Sequence, residues 1–217
     1  MKRDCSKTPF ANIYFDNRYA CLPDQFYVKQ EPIAVAEPGW VALNHTLANN
    51  LDLHVDDLKS VEGLNLFSGN WVPDQAQPLA MAYAGHQFGA FVPSLGDGRA
   101  ILLGQIDTPL GMYDIHLKGA GRTPFSRGGD GRSALGPVIR EYLISEAMSA
   151  LGVPTTRALA AVTTGENVIR ESPLPGGILT RVAESHIRVG TFQYFTARED
   201  SEAVCQLTAY VIDHLYP

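Results

Sequence analysis

Cysteine is scarce in this chain of 217 residues. Cys5, Cys21 and Cys205 stand far apart, odd in number and with no C-x-x-C pair. That pattern excludes a disulfide framework and a cysteine zinc site, and it fits a reducing compartment. Long apolar runs are missing too: nothing approaches the roughly 18 apolar residues of a membrane span. The opening Met1-Lys2-Arg3-Asp4-Cys5 is not followed by an apolar signal region. A cytoplasmic protein without membrane contact is the expectation. Positive charge is not in excess. Lysine and arginine number 17 against 23 acidic residues, a formal net charge of −6, which argues against a nucleic-acid partner. No G-x-x-x-x-G-K-[ST] loop occurs, so the P-loop class is excluded. No H-R-D or D-F-G occurs, so the catalytic half of an ordinary kinase is missing. His86 and His116 lack the partner spacing of a metal site, and Ser126 has no identifiable base.

What is present is an ordinary globular composition, 45% hydrophobic and 18% charged. Residues 1–40 are irregular, punctuated by Pro9, Pro23, Pro32 and Pro38, with aromatics from Phe10 to Tyr27. Such a segment is expected to wrap over a core built by later elements. Asn44 predicts a capped helix through Leu51, and Val55–Leu58 a further helical turn. Asn65–Asp74 reads as loop, and Pro78 predicts a helix through Ala84 that Gly85 stops. Phe88–Val92, Ala100–Ile106 and Tyr113–Lys118 read as three strands of an antiparallel meander. Pro137 predicts a helix ended by Gly152, with Ile139, Tyr142, Leu143, Ala147, Ala150 and Leu151 on one apolar stripe. Leu159–Thr164 and Val168–Arg170 read as a hairpin about Gly165-Glu166-Asn167. Ile178–Ala183 reads as a strand, and Gly190–Arg198 and Glu202–Tyr216 as helices. The mixed order gives an α+β class.

The stretch from Gly96 to Glu141 organises the rest. A Gly96-Asp97-Gly98 turn precedes two strands, the second ends on Lys118, and a loop rich in glycine and arginine leads into a helix. Glycine lets backbone N–H groups approach a ligand, and Arg122, Arg127 and Arg132 make the loop anion-seeking. Alternation puts Asp114, His116 and Lys118 on one strand face, opposite Tyr113, Ile115 and Leu117. A kinase-type site needs a strand lysine on phosphate oxygens and a helix carboxylate to orient it. Glu141 and Glu146 both qualify, and periodicity does not choose between them. Arg181 and Arg188 form a further pair, each read from the pattern alone as a surface residue.

Met81-Ala82-Tyr83-Ala84-Gly85-His86-Gln87-Phe88-Gly89, the run from Leu95 to Gly104, and the run from Leu117 to Arg132 resemble the selenoprotein O family, called YdiU in bacteria. Phe15-Asp16-Asn17-Arg18, Phe67-Ser68-Gly69-Asn70 and the run from Arg181 to Gly190 match as well. The resemblance implies a protein-kinase-like fold and a protein adenylyltransferase. Such an enzyme binds ATP flipped relative to a kinase and, with Mg²⁺ or Mn²⁺, moves AMP to Ser, Thr or Tyr hydroxyls of protein substrates. It implies nucleotide contacts from Gly96, Gly98, Arg99, Asp130 and Gly131. It makes Lys118 the strand lysine and Glu141 its partner, and it sets Arg181 and Arg188 with Lys118 on the outer phosphates. The expected organisation is an N-terminal extension with short helices at 1–84. A kinase-like nucleotide-binding lobe and the start of a second lobe follow at 85–217. The general base and metal ligands are expected beyond Pro217, so the chain alone is expected to be inactive. The apolar faces of Ile178–Ala183 and Glu202–Tyr216 are expected to lie uncovered. The alternative is a non-catalytic nucleotide- or partner-binding fragment, or a truncated inactive product.

Overall fold

Two runs of aliphatic residues, each broken by a short turn, make the two long hairpins on which the fold rests. A computed structural model describes residues 13–216; Cys5, Pro9, Phe10 and Pro217 lie outside them. The strands are β1 (Phe15–Asp16), β2 (Tyr27–Lys29), β3 (Gly39–Leu43), β4 (Leu79–Met81), β5 (Gly85–Gln87) and β6 (Ala90–Val92). Then come β7 (Ala100–Thr108), β8 (Gly111–Lys118), β9 (Ser133–Ala134), β10 (Arg157–Ile169) and β11 (Pro173–Ala183). The helices are α1 (His45–Asn50), α2 (Val55–Leu58), α3 (Val61–Ser68), α4 (Leu135–Ala150), α5 (Val189–Thr196) and α6 (Ser201–Leu215).

The hairpins β7–β8 and β10–β11 join through β8 and β11, and every pairing is antiparallel. Among the described residues one large sheet runs β2-β4-β7-β8-β11-β10-β3, with β1 on β7 and β9 on β11, while β5 and β6 pair separately. The class is α+β. Strands from both sides of residue 84 share the large sheet, since β4 pairs with β7 and β3 with β10. No helix among the described residues is long and apolar enough to cross a membrane.

The two faces of this sheet differ, and the difference makes the site. On one face Ile101, Leu103, Ile115, Leu117, Ile178 and Val182 pack with Leu47, Leu51, Leu58, Leu66 and Phe67 from α1 to α3. The other face can be followed along one cross-strand row, Leu102, His116, Arg181 and Ala158, on four neighbouring strands. Leu102 is covered by the core that includes Leu79, Phe195 and Leu207, from β4, α5 and α6. Ala158 is covered at the other end by Val138 of α4. The middle of the row is polar, between α4 and the α5–α6 pair.

Several local expectations give way to tertiary pairing. Residues 79–81 are a strand rather than a helix, because Leu79, Ala80 and Met81 are buried and paired with β2 and β7. Asn65–Ser68 is helical: Ser60 caps α3 by accepting from the Gly63 N–H, and Gly69 ends it at φ 75°. Helix-weak Gly63 and Asn65 hide that helix from a local reading. β10 does not turn at Gly165 but runs on with a bulge there, and the reversal comes after Ile169. β6 pairs with β5 rather than β7, which reduces the meander to β7–β8. Most of the predicted stripe on α4 points outward, with Leu143 60% and Leu151 79% exposed, though Tyr142 packs against the core that holds Val138; Val138 and Ser145 are buried. Ile178 and Val182 are fully buried rather than uncovered, as are Ala203 and Leu207 of α6, whereas Ile212 and Tyr216 at its far end are exposed. The Asn44 cap forms as expected, its side chain accepting from the Leu47 N–H.

Candidate functional site

Beside the polar middle of the row, two residues further along β8 on the same face, stands Lys118, the last residue of that strand. Its Nζ lies 2.5 Å from Oε2 of Glu141 on α4, and the other oxygen of that carboxylate is 3.5 Å from Nη1 of Arg181. One carboxylate therefore bridges two cations. Glu146 is engaged elsewhere: it accepts from Asn44, from Arg157 Nε and Nη2, and from the Ala158 N–H. Burial pulls the Lys118 pKa down, the Arg181 charge adds to that, and Glu141 opposes both.

The pattern alone reads Arg181 as a surface residue, but its side chain is only 14% exposed, because β11 is an inner strand. Its Nη2 is 2.9 Å from Nδ1 of His116, and Nε2 of His116 is 3.1 Å from Oδ2 of Asp97. A guanidinium only donates. Nδ1 must accept, so the ring proton sits on Nε2 and is donated to Asp97. Burial, with the Arg181 charge, holds His116 well below its usual pKa and keeps it neutral. Burial alone would raise the Asp97 pKa. The His116 contact and the Arg188 and Arg181 charges outweigh it and hold the carboxyl well below its usual range. Asp97 also accepts from the Met81 N–H. Arg188 caps α5, with its guanidinium 3.9 Å from the Tyr83 ring centroid and 4.0 Å from Oδ1 of Asp97. It is one-third exposed, so it is less buried than Arg181 but not a free surface side chain. Burial, with Asp97, pushes the Tyr83 hydroxyl up to about 12. Behind His116 the His186 ring stacks at 4.4 Å, and Asp114 accepts from its backbone N–H and pairs with its Nδ1.

The glycine turn is held by the loop that follows Lys118. A Cβ at Gly96 would sit 2.2 Å from the Phe125 ring, and one at Gly98 would sit 2.7 Å from the Phe125 carbonyl. Thr123 Oγ1 donates to the Asp97 carbonyl and Ser126 Oγ to the Gly98 carbonyl. Ser126 is thus a pin for the turn. Gly131 adopts φ 69°, and a Cβ there would meet the Gly121 carbonyl at 2.1 Å. Asp130 accepts two hydrogen bonds from Arg170 and one from the Arg132 N–H, and the Arg170 contact lowers its pKa. Arg132 donates to the carbonyls of Ile33 and Ala34, which ties the loop to the proline-rich opening segment.

Turn, loop and sheet enclose a cleft of about 420 Å³. Gly96, Gly98, Arg99, Lys118, Asp130, Gly131, Arg181 and Arg188 all line it. Arg127, Arg132 and Arg170 add to the basic lining, against the carboxylates of Asp97 and Asp130. Arg181 Nε is buried with no hydrogen-bond partner among the described residues. Sequence reasoning missed His116, Asp97, Tyr83 and Arg170. The alternation in β8 set His116 beside Lys118, which was a usable signal; Arg170 follows a strand and carries none. Among the described residues, no group of three His, Cys, Asp or Glu side chains is placed to hold a metal ion.

The family model described as Protein adenylyltransferase SelO matches residues 9–217. The chain belongs to the SelO family. A relative from Rhizobium etli (strain CIAT 652), called Protein nucleotidyltransferase YdiU, is 64% identical over 210 residues, covering 96% of this chain and 42% of the relative. Relatives with the same name are 59% identical over 216 residues in Nitrobacter hamburgensis and 61% over 204 residues in Alkalilimnicola ehrlichii. They are covered to 43% and 41% of their lengths. The chain thus spans about two fifths of the SelO-family relatives it matches, including the whole Lys118–Glu141 region.

Proposed function

We propose that this chain is the ATP-gripping part of a cytoplasmic protein adenylyltransferase, with a kinase-like lobe that holds the nucleotide flipped. The observation that carries the reading is a single carboxylate, Glu141, holding both Lys118 and Arg181 at the floor of a cleft whose rim is a glycine turn. A polyanion with closely spaced charges suits that floor, and Arg188 lines the same cleft. In this reading the outer phosphates of ATP rest on Lys118, Arg181 and Arg188. Gly96, Gly98 and Arg99 meet the nucleotide from the turn, and Asp130 and Gly131 meet it from the loop. A Ser, Thr or Tyr hydroxyl of a protein substrate then attacks the α-phosphorus. A new O–P bond forms, the hydroxyl gives up its proton to the medium, the bond to the bridging oxygen breaks, and pyrophosphate leaves. The three cations stabilise the charge on that leaving group.

The reaction as proposed uses Mg²⁺ or Mn²⁺, which would neutralise phosphate charge when bound. The acidic groups described here do not fit a resident metal: Asp97, Asp114, Glu141 and Glu146 are each committed to a protein cation, histidine or amide. We assign neither a metal ligand nor a general base to this chain, and we expect no transfer by residues 1–217 alone. Calorimetric titration with ATP tests the gripping role. Lys118→Ala should weaken binding at least about tenfold, the value of one lost charge-assisted contact. Equal ATP affinity in the variant, or no ATP binding by the parent chain, would overturn the reading.

A further inference from the structure

We propose that His116 and Asp97 are positioning residues, which together fix the guanidinium groups of Arg181 and Arg188 at the floor of the cleft. Where the ligand enters, the proposal rests on the ATP reading above; the positioning itself does not.

The geometry leaves Arg181 little choice of orientation. Nη2 is held at 2.9 Å by His116 Nδ1 and Nη1 faces Glu141 at 3.5 Å, so both ends of the planar fork are fixed. His116 can do this only as an acceptor, which requires the proton on Nε2. Asp97 enforces that tautomer, because a carboxylate at 3.1 Å from Nε2 needs a donor there. The same carboxylate oxygen accepts from the Met81 N–H, so Asp97 is anchored to β4. Its second oxygen lies on the Arg188 side, at 4.0 Å. The His116 ring is kept from tilting by His186, stacked within 14° of parallel and tied to Asp114. The groups facing His116 are therefore Asp97, Arg181 and His186. One buried carboxylate reaches both arginines, one through a histidine and one directly. An ionised, fully buried Asp97 costs desolvation, and the row that contains its partner His116 is apolar at both ends, so an apolar pair would serve packing as well.

Two substitutions separate the halves of this device. His116→Asn sets a carboxamide oxygen near the place of Nδ1, keeping the acceptor for Arg181 and dropping the bond to Asp97. His116→Gln reaches the place of Nε2, keeping the donor to Asp97 and dropping the acceptor. The first readout is the NMR spectrum of ¹⁵N-arginine-labelled chain without ligand, with the Arg181 signal identified from Arg181→Lys. A held guanidinium gives separate Nη signals, and a free one averages them. Separate signals are expected in the parent chain and in His116→Asn, and averaged ones in His116→Gln. The second readout is calorimetric affinity for ATP and for AMP, which lacks the outer phosphates. His116→Gln should lose about tenfold for ATP and less than about twofold for AMP. His116→Asn should lose less than about threefold for ATP.

Unchanged Arg181 signals in a folded His116→Gln would overturn the proposal. So would a parallel loss for ATP and AMP that tracks the melting temperature, since that is what a structural role alone gives. Where His116→Gln does not melt cooperatively, the parent chain decides, and averaged Arg181 signals there sink the idea. If the parent binds no ATP while the Arg181 signals follow the acceptor, the nucleotide reading fails and the positioning stands.

Discussion

Replacing Glu146 by alanine should cost stability and leave ATP binding alone, the reverse of replacing Glu141. Glu146 accepts from Asn44 Nδ2 at 2.7 Å, Arg157 Nε at 2.9 Å, Arg157 Nη2 at 2.7 Å and the Ala158 N–H at 2.9 Å. These bonds tie α4 to the start of β10 and to the residue that caps α1. Hydrogen bonds to a charged acceptor contribute about 1.5–3 kcal/mol each, but they do not add. Arg157 is 27% exposed and can turn to water once its partner is gone. The Ala158 amide sits in a fully buried residue and cannot. The net loss should be about 2–3 kcal/mol, nearly the cost of stranding that amide and an arginine. For a chain of this size that lowers the midpoint by about 4–12 °C. The sign of the pH effect follows. Burial raises the Glu146 pKa, but the Arg157 bonds and the Ala158 amide outweigh it and leave it lowered. Its contribution is present above the ordinary carboxylate pKa and fades as pH falls through the folded value, so parent and variant should converge in acid. Urea and thermal melts at two pH values, with an ATP titration on the folded variant, check all of this. A variant that melts like the parent but no longer binds ATP would refute the division of labour between the two glutamates.

Four changes at the site should behave as one unit. Lys118→Ala should abolish most ATP binding, and Lys118→Arg should fail badly because the planar head does not fit a place shaped for an ammonium. Glu141→Ala should cost less, and the double variant should be little worse than Lys118→Ala, as titration calorimetry would read. Stability should fall in mild acid. His116 and His186 both have folded pKa values lowered by burial, so their contribution is complete above about pH 6.5 and is lost below it, at up to about 1.4 kcal/mol per pH unit for each; equal urea midpoints at pH 7.5 and 5.5 would contradict this. Gly131→Ala should dismantle the loop, since its Cβ would meet the Gly121 carbonyl at 2.1 Å from a φ of 69°. Limited proteolysis between Gly119 and Arg132 should then speed up, and an unchanged cleavage rate would count against the packing described.

Much of this was legible in the sequence where a local signal and the tertiary outcome agree. Asn44 caps a helix because its side chain reaches the N–H of Leu47, three residues along the chain, a contact that needs no other element. Lys118 ends a strand and Glu141 falls on the next helix, and the two meet. Choosing Glu141 over Glu146 was beyond periodicity, because the choice depends on where β10 and β11 lie beside α4, and Arg157 and Arg181 are distant in sequence. Leu79–Met81 looked helical after Pro78, yet two neighbouring strands claim its backbone. Gly165 has the signal of a turn and is a bulge, because β11 pairs with β10 up to Thr163 and again from Asn167, and so carries it through.

The stripe on α4 failed for a reason that bears on the site. A helix beside an apolar sheet face turns its apolar side inward, and the Ile139–Leu151 spacing predicts that arrangement. The row beneath α4 is not apolar along its length: it passes from Ala158 to Arg181 and His116. Over Ala158 the helix sets Val138, and over Arg181 and Lys118 it sets Glu141. A carboxylate there is what two part-buried cations require, since leaving either unpaired would cost more than the helix gains by burying Leu143 or Leu151. The same demand explains why β8 is buried on both faces yet polar on one. Asp114, His116 and Lys118 each find a charged or histidine partner from another element, respectively His186, Asp97 and Glu141. The cleft is therefore built by pairing charges in register across β8 and β11 and letting the helix follow them, and its cations arrive already oriented for an anionic ligand.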